Sequence, residues 1–438
     1  MLDELRTSPG QVREADASRS RDAAQSVEPI LSQTYLIVTQ VPYFVDEAGR
    51  IWVERLWYRD LIEHLHFIPK LKLIGPMVSN TDFPDLVQLS PEEQAQIEFF
   101  PMPVFPTVKK AILTLPKTLY WLWKAIGSAD IVQSGIQGWP IPAGWFANPI
   151  ALMRGKKLFL FIESAPWRIA PGMTADWKDY IRYAVTEYIG RFFVRIAHLT
   201  QFTQDSYQAT LAGPKTRSFV LPASWVYDDE VITDDELARV WAAKAPRTGA
   251  DVKFIFAARL TVAKGVRVLL DAVDALDKAG VRCHVDIIGT GPELEECRAR
   301  FARLTSVQGR VLDPVPYGQP FFELLRQYHG VLICNLGDEQ PRIEFDDCSQ
   351  GVPVIASDTD GLRPHVVQGE TGWLVPKNDP GRLAAEIKAI LADPESLRTR
   401  GDASLALAKS MTHQTMHRLR TARLIAEFDH GMPTPSPS

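Results

Sequence analysis

Several short stretches in the second half of this 438-residue chain carry side chains suited to handling a phosphate-bearing ligand. In Phe254-Ile-Phe-Ala-Ala-Arg-Leu-Thr-Val-Ala-Lys-Gly265, an apolar run ends just before Arg259 and Lys264, and a helical pattern follows. Two cations fixed at a strand-to-helix turn can hold a diphosphate and neutralise the charge that develops as it leaves. Alternatively, Lys264 is a solvated residue beside a helix-entry glycine. In Ile287-Ile-Gly-Thr-Gly-Pro292, Gly289 and Gly291 allow close backbone approach at a strand end. The stretch is a poor dinucleotide fingerprint, because the third glycine is missing and Pro292 follows directly; a simple tight turn competes. The richest stretch runs from Gly337 to Gly361. It has an acidic start, a helix expected from about Pro341, then Gly351-Val-Pro and a β-branched strand. Free backbone N–H groups at the helix start can bind phosphate with help from the helix dipole. Asp338 and Asp346, eight residues apart, can reach a sugar and a ribose diol, or Asp338 can be a plain N-terminal cap.

Other chemistry is thinly represented. No histidines stand in an H-x3-H or H-E-x-x-H arrangement, and His198 lies in an apolar run that reads as core. The four cysteines form no C-x-x-C pair, which suits a reducing, cytoplasmic setting and argues against a disulfide framework. A net charge of −5 disfavours nucleic acid as a partner. No apolar run reaches the roughly 18–20 residues of a spanning helix, and the mixed-charge start lacks the apolar core of a secretory signal.

The elements that must position these residues follow a strand–helix rhythm. Short apolar runs at Tyr35–Val41, Leu71–Ile74, Asp130–Gln133, Leu158–Ile162 and Phe219–Leu221 read as strands buried on both faces. Helical patterns at Ile51–Leu65 and Val108–Ile126 lie between them. After a Thr233–Glu236 capping box the series restarts at Phe254–Ala257, Val285–Ile288, Gly330–Cys334 and Val352–Ala356. The expectation is an α/β protein: a tail at 1–30, a first doubly wound domain at 31–230, a second at 231–410, and a returning helix plus tail at 411–438. Ligands of such sheets bind at the carboxyl ends of the strands.

These ordered motifs resemble the retaining glycosyltransferases of the GT-B fold, specifically the family 4 group. The resemblance rests on Ala258-Arg-Leu-Thr-Val-Ala-Lys-Gly265, Gly289-Thr-Gly-Pro292, Asp338-x7-Asp346, Ser349-Gln-Gly-Val-Pro-Val-Ile-Ala-Ser-Asp358 and Gly369–Val375, covering about residues 250 to 395. It implies two Rossmann-like domains facing across a cleft. It also implies transfer of a hexose from a nucleoside diphosphate sugar, a co-substrate rather than a cofactor, to a glycan, glycolipid or small-molecule hydroxyl. Arg259 and Lys264 would bind the diphosphate. Asp338 and the backbone of Glu339–Arg342 would contact the sugar and distal phosphate, and Asp346 the ribose. Val315, within Pro314–Tyr317, would border the base. Both acidic positions are Asp where the group has Glu, so Glu339 can take the first acidic role instead. Glu163, at a strand end of the first domain, would orient the acceptor, or serve as a cap or surface acid. Asp358-Thr-Asp360 mimics a metal-binding D-x-D but coincides with the family's loop, so no metal is expected. Lys109, Lys110, Lys117 and Lys124, interleaved with Trp121, Trp123 and aliphatics in 108–126, fit a peripheral contact with the inner membrane face and a lipid-linked acceptor, or an ordinary core-facing helix. Trp139, Trp145 and Trp167 can stack on an acceptor sugar or pack between domains. A non-enzymatic relative, or an epimerase or synthase of the same fold, is the alternative.

Overall fold

The structure, a computed structural model, describes residues 28–79, 85–138, 140–169 and 175–429. The expected tails at 1–30 and 431–438 lie, but for residues 28–30, outside these described residues, as does Trp139.

Ten strands form the first sheet: β1 (Tyr35–Val38), β2 (Tyr43–Val45), β3 (Ile51–Glu54), β4 (Leu71–Val78), β5 (Leu86–Gln88), β6 (Ile97–Met102), β7 (Ile131–Ser134), β8 (Lys157–Ile162), β9 (Leu199–Phe202) and β10 (Ser218–Val220). Their order is β10-β9-β8-β7-β1-β4-β2-β3-β5, with β6 on β4. The backbone from β10 to β4 is parallel throughout, and β1, β7 and β9 are buried along their whole length, which is why they read as unbroken apolar runs. Ile51–Glu54 corrects the helix expected over Ile51–Leu65. It is strand β3, antiparallel to β2 and β5, and the helix begins only at Arg55. Ile51 and Val53 face the core while Trp52 and Glu54 do not, a period of two that short-window reading merged with the helix.

The second sheet is wholly parallel. It comprises β11 (Lys253–Ala257), β12 (His284–Ile288), β13 (Val311–Leu312), β14 (Gly330–Ile333), β15 (Val354–Ser357) and β16 (Gly372–Val375), in the order β13-β12-β11-β14-β15-β16. Helix Val266–Lys278 lays Leu269, Ala272, Val273 and Leu276 against it. In both sheets the strand order reverses at the first strand, between β7 and β4 at β1 and between β12 and β14 at β11. Ligand crevices of doubly wound sheets open at such switch points.

The last helix, His413–Phe428, returns to the first domain. Leu424 and Phe428 join its core beside Leu61 of helix Arg55–Phe67. The opposite side of that sheet is covered by helices Val108–Gly127, Gly144–Met153 and Trp177–Ile196, which contribute Leu122, Ala147 and Phe193 to a separate core cluster. No described helix is long and apolar enough to cross a membrane.

Candidate active site at the interdomain cleft

The carboxyl ends of β11 and β14 open into a cavity of about 650 Å³. Arg259, Lys264, Glu339, Gln340, Pro341, Arg342 and Asp346 line it from the second domain, and Glu163, at the end of β8, lines it from the first. Arg259 stands two residues past the end of β11, is exposed, and forms no ion pair among the described residues. Lys264 ends a single turn of 3-10 helix that Gly265 closes at φ 74°, and its ammonium lies 2.5 Å from Glu339. A side chain at Gly265 would strike the carbonyl of Cys334 at 1.7 Å, so only glycine lets the cation-bearing turn sit this close to the end of β14.

The loop opposite is pinned from the first domain. Gln204 Nε2 donates to the Asp338 carbonyl at 2.7 Å, and the Gln340 side-chain amide clasps the backbone of Ala223 in both directions. Helix Ile343–Ser349 starts two residues later than Pro341, and Pro341 itself has no N–H to offer. The amides of Glu339, Gln340 and Arg342 bond to nothing else among the described residues. Two cations and three free backbone donors therefore surround one space, an arrangement suited to a diphosphate.

Four expected site residues lie elsewhere. The Asp338 carboxylate turns to Lys377, 2.8 Å away, and is not on the cavity wall, whereas Glu339 is. Gly289 and Gly291 also lie off the wall. Their φ values of 148° and 156° and the 2.0 and 2.4 Å that a Cβ would leave to the carbonyls of Ala258 and Leu260 show them buttressing the Arg259 loop from behind. Val315 is exposed and off the wall; Tyr317, two residues on, lines it and donates to the Asp346 carboxylate at 2.7 Å. Burial pushes the Asp346 carboxyl up to about 7, although the Tyr317 hydroxyl and the nearby Arg342 guanidinium work the other way.

A second cavity of about 600 Å³ opens at the β1–β7 switch point of the first domain, and Glu163, Ala223, Trp225 and Arg342 belong to both walls. Glu163 is accessible from the cleft yet ringed by protein; this burial raises its carboxyl above the ordinary range, Asp60 adds to the effect, and Arg342 and Arg420 oppose it. The Arg342 guanidinium stands 4.9 Å over the ring of Trp225. Asp60 and Arg420 are on the wall of the second cavity, where His417 Nε2 meets Asp60 at 3.0 Å, His64 Nδ1 reaches the Asp60 carbonyl at 2.7 Å, and Arg420 donates to His64 Nε2 at 3.2 Å. Burial alone would raise the Asp60 carboxyl, but the two imidazoles hold it well below its usual range. Three ligand-capable groups thus converge, yet a guanidinium occupies the lone pair of His64, and the cluster forms a hydrogen-bonded joint between helices Arg55–Phe67 and His413–Phe428.

Sequence inspection passed over Asp60, His64, His417, Arg420 and Trp225. They come from three segments far apart in sequence and stand in no motif; the only local signals are that Asp60 and His64 share one face of helix Arg55–Phe67 and that His417 and Arg420 share one face of the last helix. Asp358 and Asp360 both bond Arg363, at 2.8 and 3.1 Å. His198 is half-buried, its Nδ1 accepting from the Leu158 amide at 3.0 Å. Trp167 is buried with its indole donating to Glu187, and neither it nor Trp145 lines either cavity.

Residues 251–393 match the profile of the family described as Glycosyl transferases group 1. Over these residues the second domain is similar to a glycosyl transferases group 1 domain. Curated relatives align with about a third of the chain. The putative colanic acid biosynthesis glycosyltransferase WcaL of Salmonella typhimurium is 30% identical over 158 residues, 33% of this chain and 37% of that protein. A D-inositol 3-phosphate glycosyltransferase of Segniliparus rotundus is 31% identical over 160 residues, 35% of each chain. The chain thus spans little more than a third of the length of these relatives. The solved structures extend the likeness to the whole fold. Sucrose-phosphate synthase from Thermosynechococcus elongatus superposes with a TM-score of 0.66 at 16% identity, covering 91% of this chain and all of that one. Anabaena Alr3699/HepE, solved in complex with UDP-glucose, gives 0.62 at 14% identity over 90% of this chain and all of that one. The fold is GT-B, with the group 1 domain forming the half that holds Arg259 and Lys264.

Proposed function

We propose that this protein transfers a hexose from a nucleoside diphosphate sugar to an acceptor hydroxyl, with retention of configuration at the transferred carbon. The donor would occupy the cavity of the group 1 domain and the acceptor the cavity of the first domain, meeting where Glu163 and Arg342 border both. As the bond between the sugar carbon and the diphosphate breaks, the electron pair goes to the diphosphate oxygen, where Arg259, Lys264 and the free amides of the Glu339–Arg342 loop receive the charge. The acceptor oxygen bonds to the same face of the sugar carbon, and its proton passes to the departing diphosphate oxygen. Glu163 orients that acceptor hydroxyl, and Asp346 with Tyr317 faces the nucleoside. Glu339, already paired with Lys264, takes the first acidic position in place of Asp338.

The observation that carries this reading is the convergence of Arg259, Lys264 and three unengaged amides on one cavity at the ends of β11 and β14. The names of the relatives favour it, and the UDP-glucose held by the Anabaena protein favours a uridine donor. Calorimetry with UDP, GDP and ADP tests it. Micromolar binding of one nucleotide, abolished in Arg259→Ala/Lys264→Ala, is expected. Failure of all three to bind the wild-type chain would overturn it. A hydrolysis screen of the matching sugar nucleotides then identifies the sugar.

A further inference from the structure

Twenty large hydrophobic side chains are exposed among the described residues, and fourteen of them lie on just two helices, Val108–Gly127 and Trp177–Ile196. Both helices belong to the same layer of the first domain, with Gly144–Met153 between them in the core cluster they share. Each turns a few residues inward and leaves the rest outside. Leu122, Ala125 and Ile126 are buried, while Leu113 is 71% exposed and Trp123 50%. On the second helix Phe193 and Val194 are buried, while Trp177 is 67% and Tyr188 77% exposed. The contrast with the other side of the sheet is direct: there helix Arg55–Phe67 is sealed by the returning helix His413–Phe428. Exposed apolar side chains crowded onto one layer of a folded domain mark a surface that meets something.

Charge says what it meets. The three helices of this layer carry eight basic and two acidic residues, in a chain whose net charge is −5. Both acids, Asp179 and Glu187, are already neutralised by arginines. The four lysines of Val108–Gly127 are exposed and form no ion pair among the described residues. Lys124 lies 5.1 Å from the Trp121 ring, Arg154 4.5 Å from Trp123, and Lys178 5.7 Å from Trp177, so cations and indoles share the surface. Indoles, phenols and aliphatics among long basic side chains match the boundary between headgroups and acyl chains. A second copy of the chain is a poor occupant, because a two-fold contact would set these lysines against their own counterparts.

We propose that the face formed by helices Val108–Gly127 and Trp177–Ile196 rests on an anionic lipid surface without crossing it. The surface is wider than the single helix its sequence pattern pointed to; the second helix contributes the larger share of exposed aromatics. Through Gly144–Met153 the same layer adjoins Ala143 and Gly144, which wall the first domain's cavity together with Gln137 and Gly138.

The test is flotation of the full chain with vesicles of phosphatidylcholine alone or mixed equally with phosphatidylglycerol. Binding to the mixed vesicles only is expected, falling at least about tenfold in roughly 0.5 M salt. Lys109→Glu/Lys110→Glu/Lys117→Glu/Lys124→Glu should abolish it, and Leu113→Ser/Tyr188→Ser, at two of the most exposed positions, should weaken it about tenfold without moving the melting temperature. Absence of flotation with mixed vesicles overturns the proposal. So does a concentration-dependent dimer in light scattering that Leu113→Ser/Tyr188→Ser dissolves, which would make the occupant a second copy. The readout needs neither donor nor turnover, so its outcome is separate from that of the nucleotide-binding experiment.

Discussion

The two cavities of this molecule lie at equivalent switch points of two similar sheets, yet their walls are made differently. In the group 1 domain the wall is set by close backbone approaches. Gly265 rests against the end of β14, Gly289 and Gly291 against the Arg259 loop, and Gly361 against Glu339, each leaving 2.5 Å or less for a Cβ. The charged groups then hang from turns that cannot move far. In the first domain Gly144 packs as closely, leaving a Cβ 1.9 Å from the Gly135 carbonyl, but the polar part of the wall is made of side chains held by partners remote in sequence. Asp60 is fixed by His417, 357 residues away, and His413 by the Ser224 carbonyl, 189 residues away. Charged groups hung from glycine-framed turns have few arrangements, whereas a wall of side-chain pairings can be rebuilt for another ligand without disturbing the fold. That division suits a protein in which one cavity takes a fixed nucleotide chemistry and the other a variable acceptor.

The comparison breaks most sharply on the cations. Arg259→Ala/Lys264→Ala should lower turnover at least about 10³-fold, since each removes a fixed donor to charge developing on the diphosphate. Glu163→Gln, on the shared wall, should separate the two halves of the reaction. Losing one charged hydrogen bond to the acceptor would slow transfer roughly 10- to 100-fold, while nucleotide affinity and donor hydrolysis stay within a factor of two or three. Steady-state kinetics with and without acceptor measures both. Equal losses in hydrolysis and transfer would place Glu163 on the donor side and remove the assignment of the second cavity to the acceptor.

The same contrast explains what could be read from the sequence. Arg259, Lys264, Glu339 and Asp346 fall within about ninety residues, on the segments that follow two strands whose own apolar runs announce them. Buried parallel strands need no partner to be recognised, so the sheets were legible too. Ile51–Glu54 was not, because an antiparallel flap strand of four residues running into a helix presents the helix's periodicity at its own end. The orientation of Asp338 was hidden for a different reason: its partner Lys377 lies beyond β16, and nothing local says that the carboxylate prefers that cation to the cavity. The Asp60–His64–His417–Arg420 joint required knowing where the last helix lands. Both halves of the exposed basic face were in view as sequence, but Trp177–Ile196 has an apolar residue on every side, and only its packing shows which of them are left out.

A smaller effect concerns the nucleoside end of the donor cavity. Asp346 is fully buried and its carboxyl is pushed up to about 7, so it changes charge near neutrality. Only the ionised form can accept hydrogen bonds at both oxygens, one from Tyr317 and another from a ribose hydroxyl. Nucleotide affinity should therefore rise several-fold from pH 6 to pH 8. Asp346→Asn should flatten that dependence, and Tyr317→Phe, which removes a hydrogen bond that favours the charged form, should move its midpoint upward. A pH-independent affinity in the wild-type chain would show that Asp346 does not face the nucleoside.

The smallest effect lies just beneath the site, on stability rather than activity. Glu344, in helix Ile343–Ser349, is completely buried and neither carboxyl oxygen has a partner; Asp347 is buried beside it. Burial, reinforced by Asp347, pushes the Glu344 carboxyl well above its ordinary range, so the folded chain holds this proton to higher pH than the unfolded chain does. In the unfolded chain it ionises near the ordinary glutamate value of about 4.3. The folded state thus binds the extra proton, its stabilising share is complete only below that value, and stability declines as pH rises from there towards the folded-state value. Glu344→Gln has no proton to lose and keeps the shape. Its melting temperature should therefore fall less steeply than that of the wild-type chain between pH 5 and 8, and lie above it at pH 8 by a few degrees, about 1–2 kcal/mol. Thermal scans of the two chains across that range decide it. Parallel curves would mean that the carboxyl finds a counter-charge, and that the group 1 domain carries no more buried charge under its cavity than the first domain does.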